Sequence, residues 1–294
     1  MLTDFALFPE SPALIWVWGL FGLIIGSFLN VVIHRLPLMM EQAWRRECRE
    51  FLEPGGGHPS VEPEYDLWRP GSQCPHCRAP VRFWQNVPIL SYLWLRGRCA
   101  ACGAAISWRY PLVEALTGML FATLAWRFGA SWQALAASGL TAALIALAFI
   151  DIDHLVLPDD ITLPLLWLGL LLNAQSLFCN LETALYGAVA GYLLLWTVHR
   201  GFLLLTGREG MGFGDFKLLA MLGAWMGWPM LPVIILFSSI SGAVIGSIVL
   251  AVGGKERNTP IPFGPFLAAG GWIALLWGNT LNDAYWRWAT AGGG

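Results

Sequence analysis

The stretch 140–153, LTAALIALAFIDID, is the end of an apolar run that stops abruptly at two acids. The run begins near residue 132, and about 17 to 25 apolar residues are enough for an α-helix to cross the hydrocarbon core of a bilayer. A shorter run at 216–229 and six further long runs complete the pattern: 13–34, 111–128, 161–179, 183–205, 231–253 and 265–282. The sequence therefore predicts an all-α polytopic membrane protein with about eight transmembrane helices.

The composition is typical of a membrane protein. Of the 294 residues, 56% are hydrophobic and 12% are charged, which is about half the charged fraction of an ordinary soluble domain. The mean hydropathy is +0.59, and the 17 tryptophans belong to a residue type that concentrates at membrane interfaces. The net charge of -2 gives no indication of nucleic-acid binding. Because residues 1–12 carry Asp4 and Glu10 and no basic residue, we expect no secretory signal peptide there.

The distribution of basic residues predicts the orientation. Of the 17 Lys and Arg residues, ten lie between Arg35 and Arg109. Cytoplasmic loops carry an excess of Lys and Arg, so we expect this 35–110 insert to face the cytoplasm. We expect the same of three shorter loops: 151–160, 206–216 and 254–264. With eight spans, both termini then lie on the opposite side of the membrane.

The insert contains two cysteine pairs, Cys74-Pro75-His76-Cys77 and Cys99-Ala100-Ala101-Cys102, with 21 residues between them. This spacing is typical of a tetrahedral zinc site, and paired thiols in the reducing cytoplasm are more often metal ligands than disulfides. Four thiolates complete a tetrahedron without His76. We therefore predict a structural Zn²⁺ in a small zinc-ribbon-like domain, and its ligands are Cys74, Cys77, Cys99 and Cys102. Cys48 and Cys179 are expected to be unpaired thiols.

Asp151 and Asp215 stand out because ionisable groups near membrane spans are costly and usually functional. Both fall at predicted cytoplasmic helix ends, where two helices could bring them face to face. Close carboxyls do not both ionise. Such a pair suits peptide hydrolysis, because the ionised member takes a proton from water and the protonated member polarises the scissile carbonyl. Gly212 and Gly214 would let an extended substrate backbone approach the second acid.

The residues alone leave a second function open. A proton- or ion-coupled transporter also uses acids of this kind, although transport favours acids near the bilayer midplane on broken helices. Asp153, Asp159 and Asp160 are expected to be solvated loop or capping residues, with Asp160 as the N-cap of the next helix. We expect His154 and His199 to be interfacial rather than catalytic.

Several motifs resemble those of the type IV prepilin peptidase family, membrane aspartyl proteases of the G-x-G-D class. The resemblance covers nearly the whole chain, and the motifs together are highly specific. In chain order they are GSFLNVVIHRLP at 26–37, both cysteine pairs, ISWRYPLVE at 106–114, DID at 151–153, LPD at 157–159 and GFGD at 212–215.

The resemblance implies a bacterial inner-membrane enzyme with two activities. It would remove the basic leader of type IV prepilins and pseudopilins at the cytoplasmic face and then methylate the new amino terminus, with S-adenosylmethionine as the methyl donor. The basic leader would remain near anionic lipid headgroups while the apolar helix of the substrate stays in the bilayer.

The resemblance also implies residue roles. The family's catalytic pair falls on Asp151 and Asp215, and its metal ligands fall on the four cysteines of the insert. Asp151 is preferred to Asp153 because it stands six residues before Leu157-Pro158, the offset of the family's catalytic aspartate. The glycines that support the catalytic loop are Gly212 and Gly214.

These expectations divide the chain into three parts: a first transmembrane helix at 1–34, a cytoplasmic domain with the four-cysteine zinc site at 35–110, and a transmembrane aspartyl peptidase domain at 111–294. The sequence contains no Gly-x-Gly-x-x-Gly loop for the methyl donor, and the Gly-rich stretch 55–57 is interpreted as a linker. The residues that bind the donor are therefore not assigned from sequence.

Overall fold

The computed structural model describes residues 12–52, 66–69, 71–208, 210–253 and 261–291, and within these ranges it is helical and contains no strand. The Gly-rich stretch 55–57, the loop residues 254–260 and both chain ends lie outside the described residues. The α-helices are α1 Pro12–Leu52, α2 Leu90–Trp94, α3 Arg109–Phe128, α4 Trp132–His154, α5 Asp159–Asn173, α6 Leu181–Thr206, α7 Phe213–Met226, α8 Leu231–Gly253 and α9 Gly264–Ala291.

Each predicted apolar run overlaps one of the helices α1 and α3–α9. α5 and α7 have 15 and 14 residues, so at 1.5 Å per residue they extend only about 21–23 Å, which is short of a hydrocarbon core of about 30 Å. The all-α membrane class is confirmed, whereas the count of eight spans stays a prediction. Among the described residues, four segments are long and apolar enough to cross a membrane: Pro12–Leu52, Trp132–His154, Leu181–Thr206 and Trp228–Val249.

α1 continues well beyond the predicted first span and ends at Leu52. Pro37 lies inside this helix, where its ring removes one backbone hydrogen bond without ending the helix. The extension is mostly exposed, and Arg45 pairs with Glu41 one turn away at 2.6 Å. The polar insert therefore begins as a charged extension of the first helix.

The chain divides into two compact units, which we call the amino-terminal unit, Pro12–Thr123, and the carboxyl-terminal unit, which begins at Leu124. The core of the carboxyl-terminal unit centres on α7, where nearly every side chain from Asp215 to Met226 is buried. Helices α5, α6 and α9 pack around it. Because α7 is enclosed by its neighbours, the position of its first turn is fixed by the whole unit.

In the amino-terminal unit, α1 packs closely against α3 at two glycines. A Cβ atom added at Gly22 would lie 2.8 Å from the Cβ atom of Phe121, and one added at Gly26 would lie 2.7 Å from the Cα atom of Glu114. Small residues let membrane helices approach each other in this way. The GSFLN motif thus begins with a glycine that brings the two backbones together.

Polar contacts tie the carboxyl end of α7 to α5. The side chain of Asn173 donates to the carbonyls of Ala224 and Trp225, each at 2.9 Å. The indole of Trp225 donates to the carbonyl of Leu165 at 2.8 Å and lies against Gly169, where a Cβ atom would overlap the ring. These bonds satisfy buried polar groups and fix the position of α7 along its own axis relative to α5.

The α6–α7 interface predicts a sharp effect of side-chain size. A Cβ atom at Gly187 of α6 would overlap the backbone carbonyl of Gly223 of α7. Gly187→Leu should therefore lower the thermal unfolding temperature in detergent, with a destabilisation of about 1–3 kcal/mol or more, because the backbone cannot yield as a side chain can. Gly201→Leu on the same helix is the control, since a Cβ atom there meets nothing within 4 Å. Equal unfolding temperatures for the two variants would contradict this packing.

Candidate active site and metal centre

Asp151 lies in the last turn of α4 and is 5% exposed. Leu155 ends the helix in the left-handed conformation, with φ of 55°, and its amide donates to the Asp151 carbonyl at 2.9 Å. The Oδ2 atom of Asp151 accepts a hydrogen bond from the backbone amide of Gly264 at 2.9 Å. Because Gly264 begins α9, the carboxyl group satisfies one of the unpaired amides at a helix amino terminus.

Asp215 lies in the first turn of α7 and is 7% exposed. Gly212 is the N-cap of this helix, and its carbonyl accepts a hydrogen bond from the Asp215 amide at 3.3 Å. A Cβ atom at Gly212 would lie 3.8 Å from Oδ2 of Asp215. The loop backbone therefore passes close to the carboxyl group without a side chain in between.

Leu157 packs between the two acid-bearing regions. A Cβ atom at Gly214 would lie 2.8 Å from the Leu157 Cβ atom. A Cβ atom at Gly264 would lie 3.0 Å from the Leu157 Cδ2 atom and 2.7 Å from Oδ2 of Asp151. The ends of α4, α7 and α9 thus meet at one leucine. The turns that carry Asp151 and Asp215 are therefore neighbours.

The other acids of this region are exposed. Asp153 and Asp160 face solvent, and Asp159 forms an ion pair with Lys217 at 2.6 and 2.8 Å. The expectation that Asp160 caps α5 is wrong, because the helix already begins at Asp159 with Pro158 as its N-cap. A proline is readily accommodated at a helix start, since the amide it lacks has no intrahelical partner there.

A histidine packs beside the glycine loop. His199 of α6 is 5% exposed, and its ring centroid lies 5.7 Å from that of Phe213 and 5.4 Å from that of Phe216. These phenylalanines flank Asp215 in sequence. His154 is exposed, whereas His199 lies inside the carboxyl-terminal unit rather than at its surface.

The arrangement supports acid–base chemistry on a peptide. Two neighbouring buried carboxyls resist double ionisation, so one of them retains a proton. The ionised group can take a proton from water while the protonated group donates to a carbonyl oxygen. This is the kind of site that an aspartic peptidase requires, placed at helix ends of a helical membrane protein.

The two C-x2-C segments of the amino-terminal unit form matching turns. The amide of Cys74 donates to the carbonyl of Ala79 at 3.0 Å, and the amide of Cys99 donates to that of Ala104 at 2.8 Å. After the second cysteine of each segment the backbone turns through the left-handed region, at Arg78 with φ of 56° and at Gly103 with φ of 72°. Each turn directs its two sulfur atoms to the same side.

The four sulfur atoms fit a tetrahedral metal site. The ligand atoms of the four cysteines all lie within 4.8 Å of one another, and Sγ of Cys74 lies 3.8 Å from Sγ of Cys102. A zinc ion with Zn–S bonds of about 2.3 Å separates its sulfurs by about 3.8 Å. The backbone of Cys102 and Ala101 lowers the pKa of the Cys99 thiol, which favours the metal-binding thiolate. The cluster can therefore hold a metal ion.

Family models match both parts of the chain. Residues 20–128 match the Bacterial Peptidase A24 N-terminal domain, and residues 138–247 match the Type IV leader peptidase family. The second match includes both buried aspartates, and the first includes the four cysteines.

Similar proteins agree with these matches. A protein of Stutzerimonas stutzeri named prepilin leader peptidase/N-methyltransferase is 55% identical over 91% of this chain and 92% of its own length. A protein with the same name from Pseudomonas aeruginosa is 54% identical over 92% of this chain and 92% of its own length. Another from Legionella pneumophila is 47% identical over 92% of this chain and 93% of its own length. None of the solved structures matches this chain. The chain therefore belongs to the type IV leader peptidase family.

The metal centre predicts a response to cysteine replacement. Replacing Cys74 and Cys77 together by Ser should abolish stoichiometric zinc and make residues 71–105 sensitive to protease, because folding of such turns is coupled to metal binding. The matched control replaces Cys48 and Cys179, which are not part of the cluster, and should keep one zinc per chain. Elemental analysis that finds no zinc in protein purified without chelator, with all four cluster thiols open to alkylation, would contradict the zinc assignment.

Proposed function

We propose that the protein is a prepilin leader peptidase and N-methyltransferase of the bacterial inner membrane. The buried pair Asp151 and Asp215 is the observation that carries the peptidase activity, and the name shared by relatives at about half identity supports both activities. Its substrates are type IV prepilins and pseudopilins, cut at the cytoplasmic membrane face. The new amino terminus is then methylated with S-adenosylmethionine as donor.

The two aspartates have distinct roles in cleavage. Asp151 is the ionised member, because the hydrogen bond from the Gly264 amide favours its charged form. It takes a proton from a water molecule, whose oxygen then attacks the scissile carbonyl carbon. Asp215 is the protonated member and donates a hydrogen bond to the carbonyl oxygen. Asp153 has neither role, since its side chain is exposed.

The substrate reaches the pair along the glycine loop. Gly212 leaves room for an extended peptide backbone beside the Asp215 carboxyl group, whereas Gly214 is needed for the contact with Leu157. A peptide lying at the helix ends would keep its basic leader near anionic headgroups and its apolar segment in the bilayer.

The four-cysteine cluster holds Zn²⁺ as a structural ion in this proposal. Four thiolates fill the tetrahedron, so no position remains open for water or substrate. The cluster belongs to a zinc-ribbon-like domain within residues 35–110, between a first transmembrane helix at 1–34 and a peptidase domain at 111–294. Eight spans place this domain and both aspartates on the cytoplasmic side and both termini in the periplasm.

The proposed catalytic pair, Asp151 and Asp215, predicts that both of these aspartates are needed for cleavage and that Asp153 is not. Asp151→Asn and Asp215→Asn should each lower the rate of leader cleavage by about 10²–10⁴-fold or more, because each removes one half of the acid–base pair. Asp153→Asn is the matched control and should cleave at close to the wild-type rate. Product masses after incubation of purified protein with a prepilin provide the measurement. Full cleavage by either dyad variant would remove that residue from the mechanism.

The hydrogen bond from the Gly264 amide to Asp151 predicts that a side chain at residue 264 lowers the cleavage rate. Gly264→Ala adds a Cβ atom 2.7 Å from Oδ2 of Asp151, so the carboxyl group must move. A displacement of about 1 Å at a catalytic group reduces turnover by about 10²-fold. Gly139→Ala on α4 should have no such effect, since a Cβ atom there meets nothing within 4 Å. Equal cleavage rates for the two variants would show that the position of Asp151 does not depend on Gly264.

The orientation predicts the outcome of reporter fusions. Fusions at residues 60, 208 and 257 should report the cytoplasm, and fusions at residue 130 and at the carboxyl terminus should report the periplasm. A cytoplasmic carboxyl terminus would mean that one span is miscounted. The shortest helix of the carboxyl-terminal unit, α7, is then the first candidate for a segment that does not cross the membrane.

A further inference from the structure

A cavity of about 440 Å³ lies entirely within the amino-terminal unit. Its walls come from α1, from both cysteine turns, from the segment 81–95 and from the start of α3. This volume is in the range of about 300–1,000 Å³ that small-molecule sites occupy. The peptidase mechanism uses none of the residues that line it.

The cavity contains a buried carboxyl group. Glu114 is 8% exposed, and its Oε2 atom accepts a hydrogen bond from the Ile89 amide at 2.7 Å. The Ser27 side chain lines the same cavity. Among the described residues, no Lys or Arg forms an ion pair with Glu114. A buried acid held by a neutral donor is suited to a cationic ligand group.

The same cavity contains a buried guanidinium group. Arg35 of α1 is 7% exposed and lines the cavity, while it donates to the backbone carbonyl of Asp66 at 3.0 Å. Arginine suits carboxylate recognition because its planar fork offers several donors. A cavity with one buried acid and one buried arginine complements a ligand that carries both signs of charge.

The remaining lining suits a nucleoside. Tyr92 and Tyr110 provide aromatic surface, and Gln85 and Asn86 provide amide groups that both donate and accept hydrogen bonds. Aromatic rings bind bases by stacking, and amides can pair with the edge of a base. Charged and aromatic groups therefore occur together in one enclosure of nucleoside size.

We propose that this cavity binds S-adenosylmethionine, with Glu114 at its cationic methionine end and Arg35 at its carboxylate; this inference rests on the proposed methyltransferase function. The ligand combines an ammonium, a sulfonium and a carboxylate with an adenosine, whereas a peptide amino terminus brings one ammonium and no carboxylate beside it. In the transfer, the lone pair of the substrate amine forms the N–CH₃ bond as the S–CH₃ bond breaks. The bonding electrons remain on sulfur as a neutral thioether, and the amine proton passes to water.

Binding of radiolabelled S-adenosylmethionine to the purified full-length protein tests the site. Glu114→Gln should weaken binding by about tenfold or more, which is the expected loss for a hydrogen-bonded charge. Glu182→Gln, in the exposed first turn of α6, is the matched control and should bind as the wild type does. A second pair of variants tests whether the open volume is needed. Ala105→Phe adds bulk at the cavity wall and should weaken binding, while Leu93→Phe, at an exposed position of α2 outside the lining, should not.

A ligand comparison tests the role of Arg35. Decarboxylated S-adenosylmethionine should bind the wild type about tenfold or more weakly than the intact donor, since it lacks the group that Arg35 holds. For Arg35→Gln, the two ligands should bind with similar affinity, because the losses from the two changes are not additive when the groups touch. Unfolding temperature and zinc content identify any variant that is simply misfolded.

The outcomes separate this inference from the function on which it rests. Weakened binding by Glu114→Gln and Ala105→Phe, with both controls unaffected, supports the site. A wild-type protein that binds and uses the donor, together with cavity variants that bind it equally well, would overturn the location but leave the methyltransferase function intact. Normal donor binding by variants that bind cleaved prepilin poorly would assign the cavity to the peptide instead. A wild-type protein that cleaves prepilin but neither binds nor uses the donor would overturn the proposed methyltransferase function.

Discussion

The hydrogen bond from the Gly264 amide to the Asp151 carboxyl group is the contact on which the proposed active site depends. A carboxyl group that is 5% exposed loses most of its hydration, and the unpaired amide at the start of α9 replaces part of it. The bond favours a glycine, because a Cβ atom at residue 264 would lie only 2.7 Å from Oδ2 of Asp151. It also fixes α9 against the end of α4, so the last helix among the described residues takes part in forming the proposed site.

The position of Asp215 depends on the opposite end of its helix. α7 is short and buried on nearly every side, and the bonds from Asn173 and Trp225 hold its far end to α5. Close backbone contact with α6 at Gly187 and Gly223 prevents it from rotating freely. The first turn of α7 therefore has a fixed position next to Leu157 and Asp151. A helix too short to span a bilayer with ease can still be an internal support for the proposed catalytic group, Asp215.

The sequence predicted the class of fold and the approximate positions of α1 and α3–α9, because long apolar runs have few alternatives in a membrane. It could not predict that α1 continues to Leu52, since polar helices and polar loops have similar compositions. The predicted N-cap of α5, Asp160, was wrong. The prediction relied on the propensity of Asp for the N-cap position, whereas the helix begins earlier, with Pro158 as its N-cap.

The candidate site was predictable only in part. Asp151 and Asp215 were visible as rare acids beside apolar runs, and the cysteine spacing indicated the metal cluster. Gly264 was not singled out, although the stretch IPFGP at 261–265 is rich in turn-forming residues, because its role is a backbone bond to a residue 113 positions away. The burial of His199, which we expected to be interfacial, and the cavity around Glu114 could not be predicted for a related reason. The residues around them belong to other segments of the chain, and the sequence alone does not show which segments pack against each other.

Cross-linking tests most directly the claim that the junction of α4, α7 and α9 brings Asp151, and not Asp153, to Asp215. A variant with Asp151→Cys and Asp215→Cys should form an internal bridge with a short thiol-specific cross-linker, and mass spectrometry of the digested protein should identify the linked α4 and α7 peptides. The matched variant with Asp153→Cys and Asp215→Cys should give little of this product. Efficient linkage through residue 153 together with none through residue 151 would contradict the account.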